Sequence, residues 1–238
     1  MTRVLDPRRV PAGRLLAAST VMLTVAAVLG GLLLADVARP PFLGIDHGWA
    51  RFISGLRSPF WDGANSVLNI AGYRGVLVLH GLLVVALLAR RRPRAAVFAA
   101  AAGVAVIIAT QLLKAGLLRE RPRNTVVLTD TGSFPSGHVA STTAFVLVLA
   151  LLMAKAWAWL LAAAGTVAMM ISRTYLSAHW LTDTVGAVCL AAPVVLLLWL
   201  GYQEVCVREN ADARRLLSWR ARASRRRRAA APPGSAPR

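Results

Sequence analysis

Residues 95–118 read AAVFAAAAGVAVIIATQLLKAGLL, and the one charge in that run is Lys114, four residues from its end. A bilayer takes about 17–25 apolar residues in a helix, so this stretch is long enough to cross one. A charge inside a membrane span is costly, and it marks a functional candidate from the outset. Lysine is not the casual cation of this chain, since only two of its 28 basic residues are lysines. The plain alternative for one such residue is a flanking charge that snorkels to the headgroups.

Working outward, five more apolar runs cover residues 15–35, 70–89, 137–154, 156–172 and 181–202. With 57% of residues hydrophobic, the expected fold is all-α: a polytopic membrane protein with six transmembrane helices in a bundle. The first run follows Arg8, Arg9 and Arg14 and exceeds the apolar core of about 7–15 residues of a signal peptide, so it reads as a retained helix. Arg74 lies near enough to the start of the second run to snorkel. Residues 1–14 form a basic leader, 15–202 the membrane domain and 203–238 a basic tail, whose Pro232-Pro233-Gly234 end is expected to be disordered. No internal repeat is visible, and the sequence does not set an oligomeric state.

The net charge of +18 is distributed in blocks beside the apolar runs, with ten basic residues after Glu204 and four at Arg90, Arg91, Arg92 and Arg94. Such blocks meet anionic lipid headgroups and set topology, so a nucleic-acid partner is not expected. Six spans put 19 Lys and Arg on the side of the termini and nine on the other. The termini are then cytoplasmic by the positive-inside rule. The end of the third span, the start of the fourth and the turn between the fifth and sixth all emerge on the extracytoplasmic face.

Three clusters sit at those emerging ends. Lys114 is followed by Arg121-Pro122. Pro135-Ser136-Gly137-His138 opens the fourth span, where proline, a capping serine and free amides at the positive end of a helix favour an anion. Ser172-Arg173 precedes His179 and Asp183, whose i, i+4 spacing shares one helix face. A carboxylate placed there accepts a hydrogen bond from one imidazole nitrogen and leaves the other as a nucleophile. Arg173 adds a planar fork suited to phosphate oxygens. A helix cap and a structural His–Asp pair are the plain readings of the last two clusters taken singly.

Two further readings concern the flanks. Trp49, Phe52, Ile53 and Leu56 recur at helical spacing and suit either a short helix in the membrane interface or a packed loop helix. Cys189 and Cys206 lack metal-ligand spacing and form no disulfide framework.

Written as K-x6-R-P, P-S-G-H and S-R-x5-H-x3-D, the three clusters resemble the motifs of the type 2 phosphatidic acid phosphatase (PAP2) superfamily, the lipid phosphate phosphatases. The resemblance extends over the six spans. One departure is Ser177-Ala178 before His179, where many members carry glycine, with little effect expected. The resemblance implies that His179 attacks phosphorus, Asp183 orients it and His138 protonates the leaving oxygen. It implies that Lys114, Arg121, Arg173, Ser136 and the Gly137 amide bind the phosphoryl oxygens. No metal or other cofactor is required, because the fixed cations take its place. The implied substrate is a phosphorylated membrane lipid: a polyprenyl diphosphate, phosphatidate or phosphatidylglycerophosphate. Arg119 and Arg123 flank the first cluster and suggest a site for a second phosphate, unless Glu120 pairs with one of them. A lipid phosphotransferase shares the same nucleophile, whereas a lipid-phosphate binder or flippase would need neither histidine.

Overall fold

The computed structural model describes residues 6–123, 125–127 and 132–229, with side chains through residue 212. Among the described residues the chain is helical throughout its ordered elements. In order these are α1 (Ala12–Ala35), α2 (Leu43–Ser54), α3 (Pro59–Ile70), a π-turn (Ala71–Gly75), α4 (Val76–Ala89), α5 (Pro93–Leu117), α6 (Gly137–Met153), α7 (Ala156–Tyr175) and α8 (Leu181–Ala229). Five stretches are long and apolar enough to cross a membrane, and α6 is a shorter apolar helix. Together they make six passes, so the expected bundle is present.

The boundaries differ from the sequence reading in three places. The second span begins at Pro59, not near residue 70, because α3 runs through the π-turn into α4 as one continuous helical stretch. Polar residues Asp62, Asn65, Ser66 and Asn69 hid that extension from a hydropathy reading. The sixth helix continues past residue 202 to Ala229, so no helix end marks the start of the tail. The leader is not separate from the body either: Asp6 N–H bonds the Leu152 carbonyl, Arg9 pairs with Glu204, and Gln203 accepts from the Val10 amide. The Pro232–Gly234 end and residues 1–5 lie outside the described residues.

Close packing follows from small side chains at helical spacing. Ala95, Ala99, Ala102 and Val106 on α5 bury one stripe, as do Ala140 and Ala144 on α6 and Ala187, Ala191 and Val195 on α8. In a membrane, where lipid is as apolar as leucine, such stripes let backbones approach and gain dispersion contact. α8 is the axial helix and packs on α1, α5, α6 and α7. At the termini end Phe98, Trp199 and Tyr202 stack around it. Glu209, two turns beyond the last apolar run, caps α5 by accepting from the Arg94 and Ala95 amides.

α2 packs one face against the bundle and leaves the other exposed. Trp49 and Ile53 turn inward onto Tyr175, Leu176 and Ala178, while Phe52 and Leu56 remain exposed. Cys189 and Cys206 are free and buried.

α7 closes in a Schellman arrangement. The Ala178 amide bonds the Arg173 carbonyl at 3.1 Å, and the Ser177 amide bonds Thr174 at 3.0 Å. This puts Ser177 in the left-handed region, with φ of +52°. That conformation strains a residue bearing a Cβ by roughly 1–2 kcal/mol, which explains why glycine suits the position. Ser177→Gly is expected to stabilise the fold by at most about 1 kcal/mol, after the extra chain entropy of glycine is set against the relieved strain. A melting temperature in detergent that falls instead of rising would refute the strained-turn account.

Candidate active site

The residues after α5, those before α6 and the turn between α7 and α8 converge at one end of the bundle. The head of α8 organises them. The helix starts at Leu181, and its N-cap position is Trp180, a side chain with no acceptor for the first amides. Two carboxylates supply what it lacks. Asp183 reaches back to the Trp180 amide at 2.9 Å, the return half of a capping box. Asp46, from α2, accepts the Thr182 amide at 3.0 Å and the Thr182 hydroxyl at 2.7 Å. Between the two acids lies Arg119. Its Nη1 donates to Asp183 Oδ1 and its Nη2 to Asp46 Oδ2, both at 2.6 Å, and all three side chains are buried.

This corrects the reading of Arg119 as a ligand for a second phosphate. Its guanidinium is committed to Asp46 and Asp183, and it does not pair with Glu120. Arg123 stays at the surface. It lines a cavity of about 1040 Å³ together with Arg51, Arg121, His47 and Trp180.

His179 lies in the turn just before α8, so it and Asp183 do not share a regular helical face. Asp183 Oδ2 stands 3.7 Å from His179 Nδ1, beyond hydrogen-bond reach. The nearer partner is the Ser133 carbonyl, 2.7 Å from Nδ1. A carbonyl can only accept, so Nδ1 carries the proton, and Nε2 of the neutral ring presents its lone pair. Asp183 therefore acts on the imidazole through its field, and a main-chain oxygen sets the tautomer. Nε2 faces Arg121 Nη1 at 3.3 Å. Arg121 is held from behind by the carbonyls of Ala178 and Gly132. Burial is the largest influence on His179 and pulls its pKa down to about 4; Asp183 opposes this, and Arg121 and Arg173 reinforce it.

The second cluster meets the same place from α6. Ser136 is the N-cap residue, with Pro135 one position ahead of it after a cis Phe134–Pro135 bond, not in the first helical turn. The Ser136 amide is bonded to the Asp183 carbonyl at 3.2 Å, which ties the heads of α6 and α8 together. Its buried hydroxyl has no hydrogen-bond partner among the described residues, and the first amides of α6, Gly137 included, have no helical acceptor. An anion at this spot would satisfy both. His138 is in the first turn and feels the charges of Arg173, His179 and Lys114. Lys114 is buried in the last turn of α5, against Gly132, whose φ is +72°. A Cβ at residue 132 would stand 3.1 Å from Lys114 Cγ, so glycine lets the loop close over the lysine stem.

Every residue singled out from the sequence thus lies at this end of the bundle: Lys114, Arg121, Ser136, Gly137, His138, Arg173, His179 and Asp183. Sequence reasoning missed Asp46, the pairing of Arg119, and the Ser133 carbonyl. Asp46 had one usable signal, an acid on a helix that buries apolar residues; a main-chain carbonyl has none.

The fold is that of a helical membrane protein, with the cations and histidines of the three sequence clusters gathered at one end of the bundle. Residues 94–205 match the PAP2 superfamily model, so across that stretch the chain is similar to members of that superfamily. In overall fold it is similar to a Bacillus subtilis protein described as the first transmembrane PAP2-type phosphatidylglycerolphosphate phosphatase. The two share 19% sequence identity with a TM-score of 0.69, over 78% of this chain and 96% of that one. No curated protein matches.

Removing one acid from the buried triad leaves charge without compensation. Asp46→Ala is expected to cost about 3–5 kcal/mol and to lower the melting temperature sharply. Asp46→Asn, which keeps an acceptor for the Thr182 amide, should lose less. Equal losses in the two variants would show that the ion pair contributes nothing beyond the cap.

Proposed function

We propose that the chain hydrolyses the phosphate monoester or diphosphate of a membrane lipid through a phosphohistidine at His179, without a metal ion. The observation that carries this reading is the state of the imidazole. Its Nδ1–H is fixed on the Ser133 carbonyl, its Nε2 lone pair faces Arg121, and Lys114, Arg173 and His179 all act on the charge of a second histidine, His138. Nε2 attacks phosphorus as the bond to the lipid oxygen breaks, and protonated His138 gives that oxygen its proton. Water then attacks the phosphorus–nitrogen bond, with His138 taking the proton back. Lys114, Arg121 and Arg173, with the Ser136 hydroxyl and the Gly137 amide, carry the charge on the phosphoryl oxygens. Asp183 stabilises the imidazole when it bears positive charge.

The arginine-rich blocks support a reading with cytoplasmic termini, the site at the outer face of a bacterial plasma membrane and the basic tail against anionic headgroups. The membrane domain of residues 15–202 carries the reaction. Polyprenyl diphosphate, phosphatidate and phosphatidylglycerophosphate are the candidate substrates.

Purified protein in detergent with EDTA is expected to release phosphate from at least one of these lipids. His179→Ala should reduce release to background, and His138→Ala should reduce it by about 10²–10⁴-fold. A phosphorylated acceptor in place of free phosphate would identify a phosphotransferase instead. No product of either kind from folded protein would sink the phosphohistidine reading.

The pH profile makes a second test. A nucleophile with its pKa lowered to about 4 stays neutral throughout the physiological range and protonates only below it. Log kcat/KM, corrected for the ionisation of the substrate phosphate, should therefore bend downward near pH 4. A bend near the ordinary histidine value of about 6.5 would contradict the desolvated, field-poised imidazole.

A further inference from the structure

The span formed by α3, the π-turn and α4 contains none of the three clusters, yet it touches two of their residues. Asn69, next to last in α3, accepts from Arg173 Nη1 through its side-chain Oδ1. Its main-chain carbonyl stands 3.2 Å from His138 Nε2, so the proton of the neutral His138 ring is on Nε2. Immediately afterwards the helix widens into the π-turn, a distortion that recurs at functional sites. The turn is wedged against the site. A Cβ on Gly72 would lie 2.3 Å from Met169 Cε and 3.3 Å from His138 Cδ2. The Tyr73 ring packs against that of His138 with centroids 5.3 Å apart. Thr142 donates to the Gly72 carbonyl at 3.4 Å. The other end of α3 is latched separately: Tyr175 donates to Asp62 at 2.9 Å and accepts the Ser58 amide at 3.2 Å.

We propose that Asn69 is a positioning residue of the phosphoryl site, holding the Arg173 fork with its side chain and the His138 ring with its carbonyl. The assignment rests on the phosphatase reading above. Arginine carries about 2 kcal/mol of rotamer freedom, and a fork that is already held need not be ordered by each arriving phosphate. An amide suits this task better than a carboxylate. It accepts one guanidinium N–H while leaving the positive charge to act on the phosphate oxygens. The π-turn sets the depth at which Asn69 meets both partners, since Gly72 allows Met169 and His138 to close on it.

The test measures turnover and, separately, thermal stabilisation by orthovanadate, a probe of the phosphate pocket that needs no turnover. Asn69→Ala is expected to lower kcat on the order of a hundredfold with KM little changed. Asn69→Asp keeps the shape and the acceptor, and should melt like the wild type without ligand. It should nevertheless lose most of the vanadate stabilisation, because its charge cancels that of Arg173. Thr142→Val removes one long hydrogen bond to the turn while leaving the close packing of Gly72 on Met169 and His138 in place, and should retain wild-type kcat. The assignment is overturned if Asn69→Ala and Thr142→Val lower kcat alike, or if both Asn69 variants keep wild-type turnover and vanadate response. Wild-type protein that neither responds to vanadate nor releases phosphate would instead overturn the phosphatase reading, and this assignment with it.

Discussion

A buried arginine between two buried aspartates, at the head of the axial helix, is the constraint on which the site depends. α8 starts at a tryptophan that offers no cap, so its exposed amides and the adjoining charges must be satisfied from elsewhere. Asp46 arrives from α2, Arg119 from the end of α5, and Asp183 folds back from the first turn of α8 itself. Three segments distant in sequence are thereby fixed to one point. The Ser133 amide bonds the Arg119 carbonyl at 2.8 Å, and the Ser133 carbonyl meets His179.

The cost of the arrangement is desolvation of three ions, which is rarely offset by Coulomb attraction alone. Here the remaining lone pairs and protons are also used, by Thr182, by the Trp180 amide and by the Phe42 and Trp180 rings that flank the guanidinium. Arg119 also takes one Asp183 oxygen, and the Trp180 amide takes the other. The single Nδ1 proton of the imidazole goes to the Ser133 carbonyl, so the carboxylate does not bond the ring directly. A histidine oriented by a neutral carbonyl, with the acid 3.7 Å away, is less basic than one in a tight ion pair.

The sequence carried the passes through the membrane and the identity of the ionisable groups, because both depend on residue type along a single strand of chain. Apolar length reports a span wherever it occurs, and a lysine or histidine within it is conspicuous. What it could not carry is which side chains meet across the bundle. Asp46 and Thr182 are 136 residues apart, and Arg173 and Asn69 are 104 apart. Arg119 looked like a phosphate ligand because its neighbours in the chain are cations, whereas its neighbours in space are acids. The second span was read short because Asp62, Asn65 and Asn69 make its first turns polar, and those are the turns that serve Tyr175 and Arg173. Periodicity also places His179 and Asp183 on one helical face, but the capping turn intervenes and a main-chain oxygen takes the hydrogen bond.

All the cations and both histidines of the site lie at one end of the bundle, opposite the ends of α4 and α6 that meet the leader and the 90–94 block. α6 is 17 residues long, about 26 Å, a little shorter than a hydrocarbon slab of about 30 Å. On the function proposed above, a site at the head of such a helix would take a lipid phosphate only from the leaflet on its own side. The rate at which its pool refills would then be set by whatever carries that lipid across the membrane.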